Sequence, residues 1–166
     1  GRNEQKLKRL KERHANVIDF RVAHADNADS LQSAFDGAGV VINTVGPFQQ
    51  FGIQVLKASI HAGAHYVDST AEQAFQKSAM ETFHRQAKEK NLTILTGHAC
   101  DFSFSYLGAA ILNDVLGPLS QCSSYHELLG FETSRGTAKS ALGMISEDFY
   151  TSANHQWTQQ VPQWRP

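Results

Sequence analysis

Cysteine is scarce in this chain. Cys100 and Cys122 are its two cysteines in 166 residues, and neither belongs to a Cys-x-x-Cys pair. A disulfide framework is excluded. Thiols this sparse fit a reducing compartment, and a cytoplasmic setting is expected. Long apolar runs are missing too. None approaches the roughly 18 residues a membrane span needs, so no membrane-spanning segment is expected. Charge of one sign is not in excess: the formal net charge is −1. That leaves no reason to expect nucleic acid or an anionic membrane surface as a partner. The N-terminus is polar and basic with no apolar stretch behind it, so no secretory signal is expected. An initiating Met is absent, and the chain opens on Gly1-Arg2-Asn3 directly before a helical pattern. The expectation is that the natural protein starts earlier. Internal repeats are absent. Hydrophobic residues make up 41% and charged residues 19%, a balance that argues for a folded core and against disorder.

What the chain does have is alternation. Glu4 to His14 is a charged helical pattern, with Leu7 and Leu10 as its strong apolar positions and Asn3 as its cap; it reads as a solvated helix beside a sheet. Val17 to Val22 alternates as a strand. His24 to Asn27 is a turn, and Asp26 or Asn27 caps a short helix through Phe35 that Asp36-Gly37 ends. Val40 to Thr44 is an apolar, β-branched strand that breaks at Gly46-Pro47. A helix follows from about Gln49 to Ala62 and stops at Gly63. His65 to Asp68 is a short strand. Ser69 with Glu72, and Thr70 with Gln73, offer two capping boxes for a helix reaching about Lys90. Asn91 to Thr96 is a further strand, Gly97 to Cys100 its exit turn, and Phe102 to Leu116 a helix. Strict alternation with short connections predicts βαβ units, a parallel sheet and right-handed crossovers.

After Pro118 the texture changes. Gln121 to Leu129 has the makings of a strand, Ser134 to Thr137 of a turn, and Thr137 to Phe149 of a helix. Thr151 to Pro166 reads as an irregular tail whose Trp157 and Trp164 need something to pack on. Two units are therefore expected, 1–118 and 119–166, the second opening another α+β domain.

In an open parallel sheet, ligands bind in the crevice beyond the carboxyl ends of the strands. The turn from Asn43 through Pro47 is the first place to look, and Asp68, Ser69 and Thr70 follow a strand at the same edge. Plain structural roles compete at each position: turn chemistry for Gly46-Pro47, capping for Asp26, Ser69 and Thr70, and a helix cap for Asp101. Other constellations fail. Gly63 breaks the helix between His61 and His65, so they form no two-His metal face, and no metal is expected. No Gly-x-Ser-x-Gly elbow occurs. Cys100 stands near His98, but proximity in sequence is not the spatial pairing a nucleophile needs. No Gly-x-Gly-x-x-Gly occurs either, and no side chain stands out as a proton donor.

The pieces nonetheless resemble a known family. Gly1-Arg2-Asn3-x-x-Lys6-Leu7, Val41 to Phe48, Gly63-Ala64-His65-Tyr66-Val67-Asp68-Ser69, Gly97-x-x-x-Asp101 and Ser134-Arg135-Gly136-Thr137-Ala138-x-Ser140 follow in the order and spacing of the saccharopine dehydrogenase-like oxidoreductases and their enoyl-reductase-like relatives. The likeness runs over about residues 1 to 145. It departs at Gly97-His98-Ala99-Cys100-Asp101-Phe102, where the family often has Gly-Phe-Asp-Ser-x-Pro. The resemblance implies an α/β fold: a Rossmann-type parallel sheet with flanking helices, lacking its first strand-helix-strand, plus the start of a second α+β domain for substrate or dimerisation. It implies NADP as cofactor, with NAD as the alternative, and a small-molecule substrate; a homodimer is compatible with it. Arg2 matches the residue near the adenosine 2′-phosphate, where a planar guanidinium suits a phosphate. Asp26 resembles an acidic residue that reaches the adenine amino group. Asn43, Thr44, Val45, Gly46 and Pro47, with Asp68 and Ser69, are expected along the nicotinamide half. The implied reaction is hydride transfer between NADP(H) and a carbonyl, imine or enoyl group. The competing reading is a non-catalytic nucleotide-binding or protein-interaction module that keeps the fold.

Overall fold

The computed structural model describes residues 1–14, 19–127, 129, 130, 132, 134–147, 149–153 and 156–160. The first helix, α1 (Glu4–Arg13), starts where the Asn3 carboxamide oxygen accepts the Lys6 N–H at 2.9 Å. Glu4 in its first turn and Lys11 and Arg13 in its last complement the helix dipole, and it buries no residue. Gly1 donates to the Arg21 carbonyl at 3.3 Å and accepts from the Ala23 N–H at 3.0 Å, the two bonds of a parallel ladder rung. Asn27 caps α2 (Ala28–Phe35) by accepting from Ser30 N at 2.8 Å. At the other end of α2, Arg21 Nη1 reaches the carbonyls of Ser33 and Asp36 at 2.7 and 3.0 Å.

Three parallel strands follow in the order β1 (Val40–Asn43), β2 (His65–Asp68) and β3 (Ile94–Leu95). The register sets Val41 beside Tyr66 and Asn43 beside Asp68. Side chains alternate along a strand, so Val41, Asn43, Tyr66 and Asp68 point together into the interior, and Val40 and Ile42 point the other way. Two helices, α3 (Phe48–His61) and α4 (Gln73–Glu89), cover the interior face with Val55, Leu56, Ile60, Phe75, Ala79 and Phe83. Phe48 and Phe75 stack obliquely at 5.8 Å between centroids. A Cβ on Gly52 would stand 2.4 Å from the Phe75 ring, so the close approach of α3 and α4 needs glycine there.

Beyond the sheet lie α5 (Cys100–Leu116), α6 (Arg135–Ser146) and a hairpin of β4 (Phe149–Ala153) and β5 (Gln156–Gln160). The hairpin is tied to the first turn of α4: Tyr150 N donates to Gln73 Oε1 at 2.9 Å, and Lys77 Nζ sits 5.3 Å from the centre of the Tyr150 ring.

From α2 to α5 the alternation is as the sequence predicts; elsewhere, and at several boundaries, the structure differs. Thr151 to Gln160 is not an irregular tail; most of it is hairpin. Trp164 lies outside the described residues. Helix α6 begins at Arg135 and ends at Ser146, so Ser134 to Thr137 is a helix start and not a free turn. The cap is Ser134, whose Oγ accepts Thr137 N at 3.1 Å. Residues 121–127 take no strand, and Leu128 lies outside the described residues. Val17 and Ile18 also lie outside them; residues 19–22 belong to no assigned strand. The last strand shrinks from 91–96 to Ile94–Leu95. Neither capping box forms, because α4 starts at Gln73 with no side-chain cap and Glu72 is engaged elsewhere. Asn27, not Asp26, caps α2. Asp101 falls inside the first turn of α5, which starts at Cys100, and so does not stand at its cap.

Candidate functional site

Three turns lie side by side where the parallel strands end, and buried polar groups set their shapes. In the first, Asn43 accepts from Val45 N at 3.0 Å through its carboxamide oxygen and donates to the Tyr66 hydroxyl at 3.0 Å through its nitrogen. Both ends of the side chain are thus used to fold the turn, and Asn43 is buried. The Gly46–Pro47 peptide is cis. A proline at the N-cap of α3 offers no side-chain acceptor to the open helix N–H groups. Glu72 supplies what is missing: its two carboxylate oxygens accept from Phe48 N at 2.9 Å and Gln49 N at 2.7 Å. Glu72 is 2% exposed, and a carboxylate there also meets the positive end of the helix dipole.

In the second turn, Asp68 Oδ1 accepts from Thr70 N at 3.0 Å, and Thr70 Oγ1 accepts from Glu72 N at 3.0 Å. The same Asp68 oxygen accepts from Gly97 N at 2.9 Å, and the Asp68 carbonyl accepts from His98 N at 2.7 Å. Asp68 therefore staples the third turn to the second. Its other carboxylate oxygen is buried with no hydrogen-bond partner among the described residues. Burial raises the Asp68 pKa, with the Gly97 and Thr70 N–H groups pulling the other way. Burial, and then the Asp68 charge, also push the Tyr66 hydroxyl up, so it stays protonated at any physiological pH.

Between the first two turns and the start of α6 lies a cleft of about 170 Å³. Thr44 and Gly46 come from the first turn, Ser69 and Glu72 from the second, and Ser134, Thr137 and Ser140 from α6. A Cβ on Gly46 would lie 3.3 Å from Ser140 Oγ, so glycine lets α6 close onto the turn. A larger groove, about 420 Å³, runs along α4 past Met80, His84, Leu92 and Ile94. It runs along a flank of α4 and reaches Thr96, just past the end of β3. Convergent polar groups, which mark ligand sites, are found in the smaller cleft.

The expected site residues fall into two groups. Arg2 and Asp26 follow neighbouring segments, because Gly1 pairs with Arg21 and Ala23. Both are exposed, and among the described residues neither side chain is engaged in a hydrogen bond or ion pair. Thr44, Val45, Gly46, Pro47 and Ser69 gather at the strand ends with at least part of their surface open. Asn43 and Asp68 are in the same place but point inward. An NADP molecule suits these features: a free guanidinium for a phosphate, a free carboxylate for an amino group, and a hydroxyl-lined cleft beside a glycine turn. Residues that sequence reasoning did not single out for the site include Tyr66, Glu72, Ser134, Thr137 and Ser140. Glu72 was visible three places after Ser69, yet the local pattern assigned it to its own helix.

An open parallel sheet with helices on one face and a polar cleft at its strand ends is a nucleotide-binding α/β domain of Rossmann type. The family model for the saccharopine dehydrogenase NADP-binding domain matches residues 1–95, more than half of the chain. The chain belongs to that family. It is 32% identical over 149 residues to a Caenorhabditis elegans protein named lipid droplet localized protein, covering 82% of this chain and 35% of that one. It is 28% identical over 156 residues to the Homo sapiens saccharopine dehydrogenase-like oxidoreductase, covering 86% and 36%. A trans-acting enoyl reductase of Mycobacterium bovis is 30% identical over 105 residues, covering 61% and 25%. The chain thus spans between a quarter and little more than a third of these curated relatives. No helix among the described residues is long and apolar enough to cross a membrane.

Proposed function

We propose that the whole protein is an NADP(H)-dependent oxidoreductase that moves a hydride between the cofactor and a carbonyl, imine or enoyl group of a small molecule. The observation that carries this is the cleft in which Thr44, Gly46 and Ser69 meet the start of α6 at the strand ends of an NADP-binding family member. Two relatives are named as an oxidoreductase and an enoyl reductase, which supports the reaction class. Bound NADPH supplies the hydride; hydride chemistry asks the protein chiefly to bind and orient. Arg2 receives the 2′-phosphate and Asp26 the adenine amino group. Thr44 to Pro47 and Ser69 form the wall along the nicotinamide half, while Asn43 and Asp68 hold that wall in shape from beneath. Residues 1–118 form the cofactor unit, and 119–166 open the substrate or dimerisation unit. The sparse thiols support a cytoplasmic setting.

Titrating the full chain with NADPH and following nicotinamide fluorescence tests the reading. Saturable binding is expected, weakened for NADPH but not for NADH by Arg2→Ala. Absence of binding by either nucleotide overturns it. Binding without turnover over carbonyl, imine and enoyl substrates favours a nucleotide-binding module without catalysis.

A further inference from the structure

We propose that α1 docks the protein on an anionic lipid surface, with Lys6, Arg9 and Arg13 as the contact stripe. This surface is separate from the cofactor cleft and does not depend on the hydride-transfer reading. The overall charge of −1 conceals a separation along the chain. Residues 1–14 hold six Lys and Arg against two Glu, and residues 15–166 hold nine Lys and Arg against fourteen Asp and Glu. The first 14 residues therefore carry a formal +4 and the remainder −5. A molecule polarised in this way is steered toward a negative surface with its basic helix leading.

The cations of α1 divide in two, and the helix buries no residue. Lys8 is paired with Glu4 at 2.8 Å, and Lys11 with Asp19 at 2.7 Å. Lys6, Arg9 and Arg13 are exposed, and among the described residues none of the three side chains has an ion pair or a hydrogen bond. Steps of three and four residues set these three in one line along the helix. At 1.5 Å per residue the line is about 10 Å long. The same spacing puts Lys8 and Lys11, with their partners, on the opposite side. Glu12 borders the free line on one flank and Leu10 on the other, and Leu10 is 47% exposed although apolar.

A row of unpaired ammonium and guanidinium groups matches a surface of phosphates. The leucine beside it narrows the choice of surface. A bilayer presents phosphate above an apolar layer, so it suits Leu10 and the methylene stems of the cations as well as their charged heads. Single-stranded nucleic acid is held by aromatic stacking in addition to charge, and α1 carries no aromatic residue. The anionic lipids of a cytoplasmic leaflet supply the required surface, and each cation brought near it strengthens binding about fivefold. With so little apolar surface, α1 rests among the headgroups and does not enter the hydrocarbon.

Flotation of the full chain with lipid vesicles tests the docking. Binding is expected to vesicles of phosphatidylcholine and phosphatidylserine in equal parts, and not to phosphatidylcholine alone. It should vanish between about 0.1 M and about 1 M salt, as the screening length falls from about 10 to about 3 Å. Replacing Lys6, Arg9 and Arg13 together by alanine is expected to weaken binding about 10²-fold. The charge-preserving set Lys6→Arg, Arg9→Lys and Arg13→Lys should keep it within about twofold, and so should Glu4→Gln with Lys8→Gln, which removes a pair on the far side without changing net charge. Equal binding to both kinds of vesicle, binding to neither, or full binding by the triple alanine variant overturns the proposal. Tighter binding to a DNA duplex than to the anionic vesicles at the same salt also overturns it, and assigns the stripe to nucleic acid.

Discussion

The two faces of the parallel sheet are built from the same short strands and meet opposite surroundings. Toward α3 and α4 stand Val41, at 6% exposure, and Tyr66, with none; away from them stand Val40 at 54% and Ile42 at 72%. Neighbouring residues of one strand therefore lie in a close-packed interior and in open surroundings among the described residues. β-Branched composition does not distinguish them, since both faces of β1 offer valine or isoleucine. The difference comes from which helices land where. The covered face also carries every buried polar group of the site turns, and the site is shaped from that side. Helix α5 also leaves large apolar side chains exposed, among them Phe104, Tyr106 and Leu107.

That contrast can be broken by substitution and thermal or denaturant unfolding. The largest effect is expected at Phe75, which fills the space against Gly52 and Phe48. Phe75→Ala should cost about 3–5 kcal/mol, and a loss under about 1 kcal/mol would mean the covered face is loosely packed. Next come Val41→Ala and Glu72→Gln, each expected to cost about 2 kcal/mol. The first loses buried methyl groups and leaves a cavity. The second gives up one charged acceptor for an N–H at the start of α3. Asp68→Asn should act through pH. Burial raises the native pKa of Asp68 above its unfolded value. The native state therefore holds the proton more tightly, and that advantage is complete below the ordinary aspartate range and fades as pH rises through the native pKa. Unfolding free energy followed upward from the aspartate range should fall less in the asparagine variant; parallel curves would place the charge elsewhere. The smallest effect is expected from Ile42→Ala, within about 0.5 kcal/mol. If it matched Val41→Ala, the outer face of β1 would be covered after all.

Much of the architecture was legible in the sequence because the signals were local. His65 to Asp68 falls on its predicted bounds, and β1 runs from Val40 to within one residue of its predicted end. Gly63, with φ +72°, stops α3 as expected. What was not legible depended on distant partners. The hairpin of β4 and β5 is rich in Thr, Ser and Gln and lacks an apolar period, and its link to α4 runs through Gln73 and Lys77. The destination of Glu72 could not be read from spacing either. Its best local use was to cap its own helix, and the proline at the start of α3 drew it away. The site was legible in the same uneven manner. Gly46-Pro47 announced a turn, but only the fold brings Ser134, Thr137 and Ser140 across from α6 to close the cleft.

The carboxylate of Glu72 also has a consequence in time. The first helical turn of α3 depends on a group 24 positions further along the chain. A peptide cut to residues 44–62 should fray at Phe48 and Gln49, since nothing local takes up those N–H groups. In the growing or refolding chain, the turn from Asn43 to Pro47 and the start of α3 can take their final form only after the approach to α4 has arrived. The candidate site is thus a late product of assembly: substitutions at Glu72 should speed unfolding far more than they slow folding.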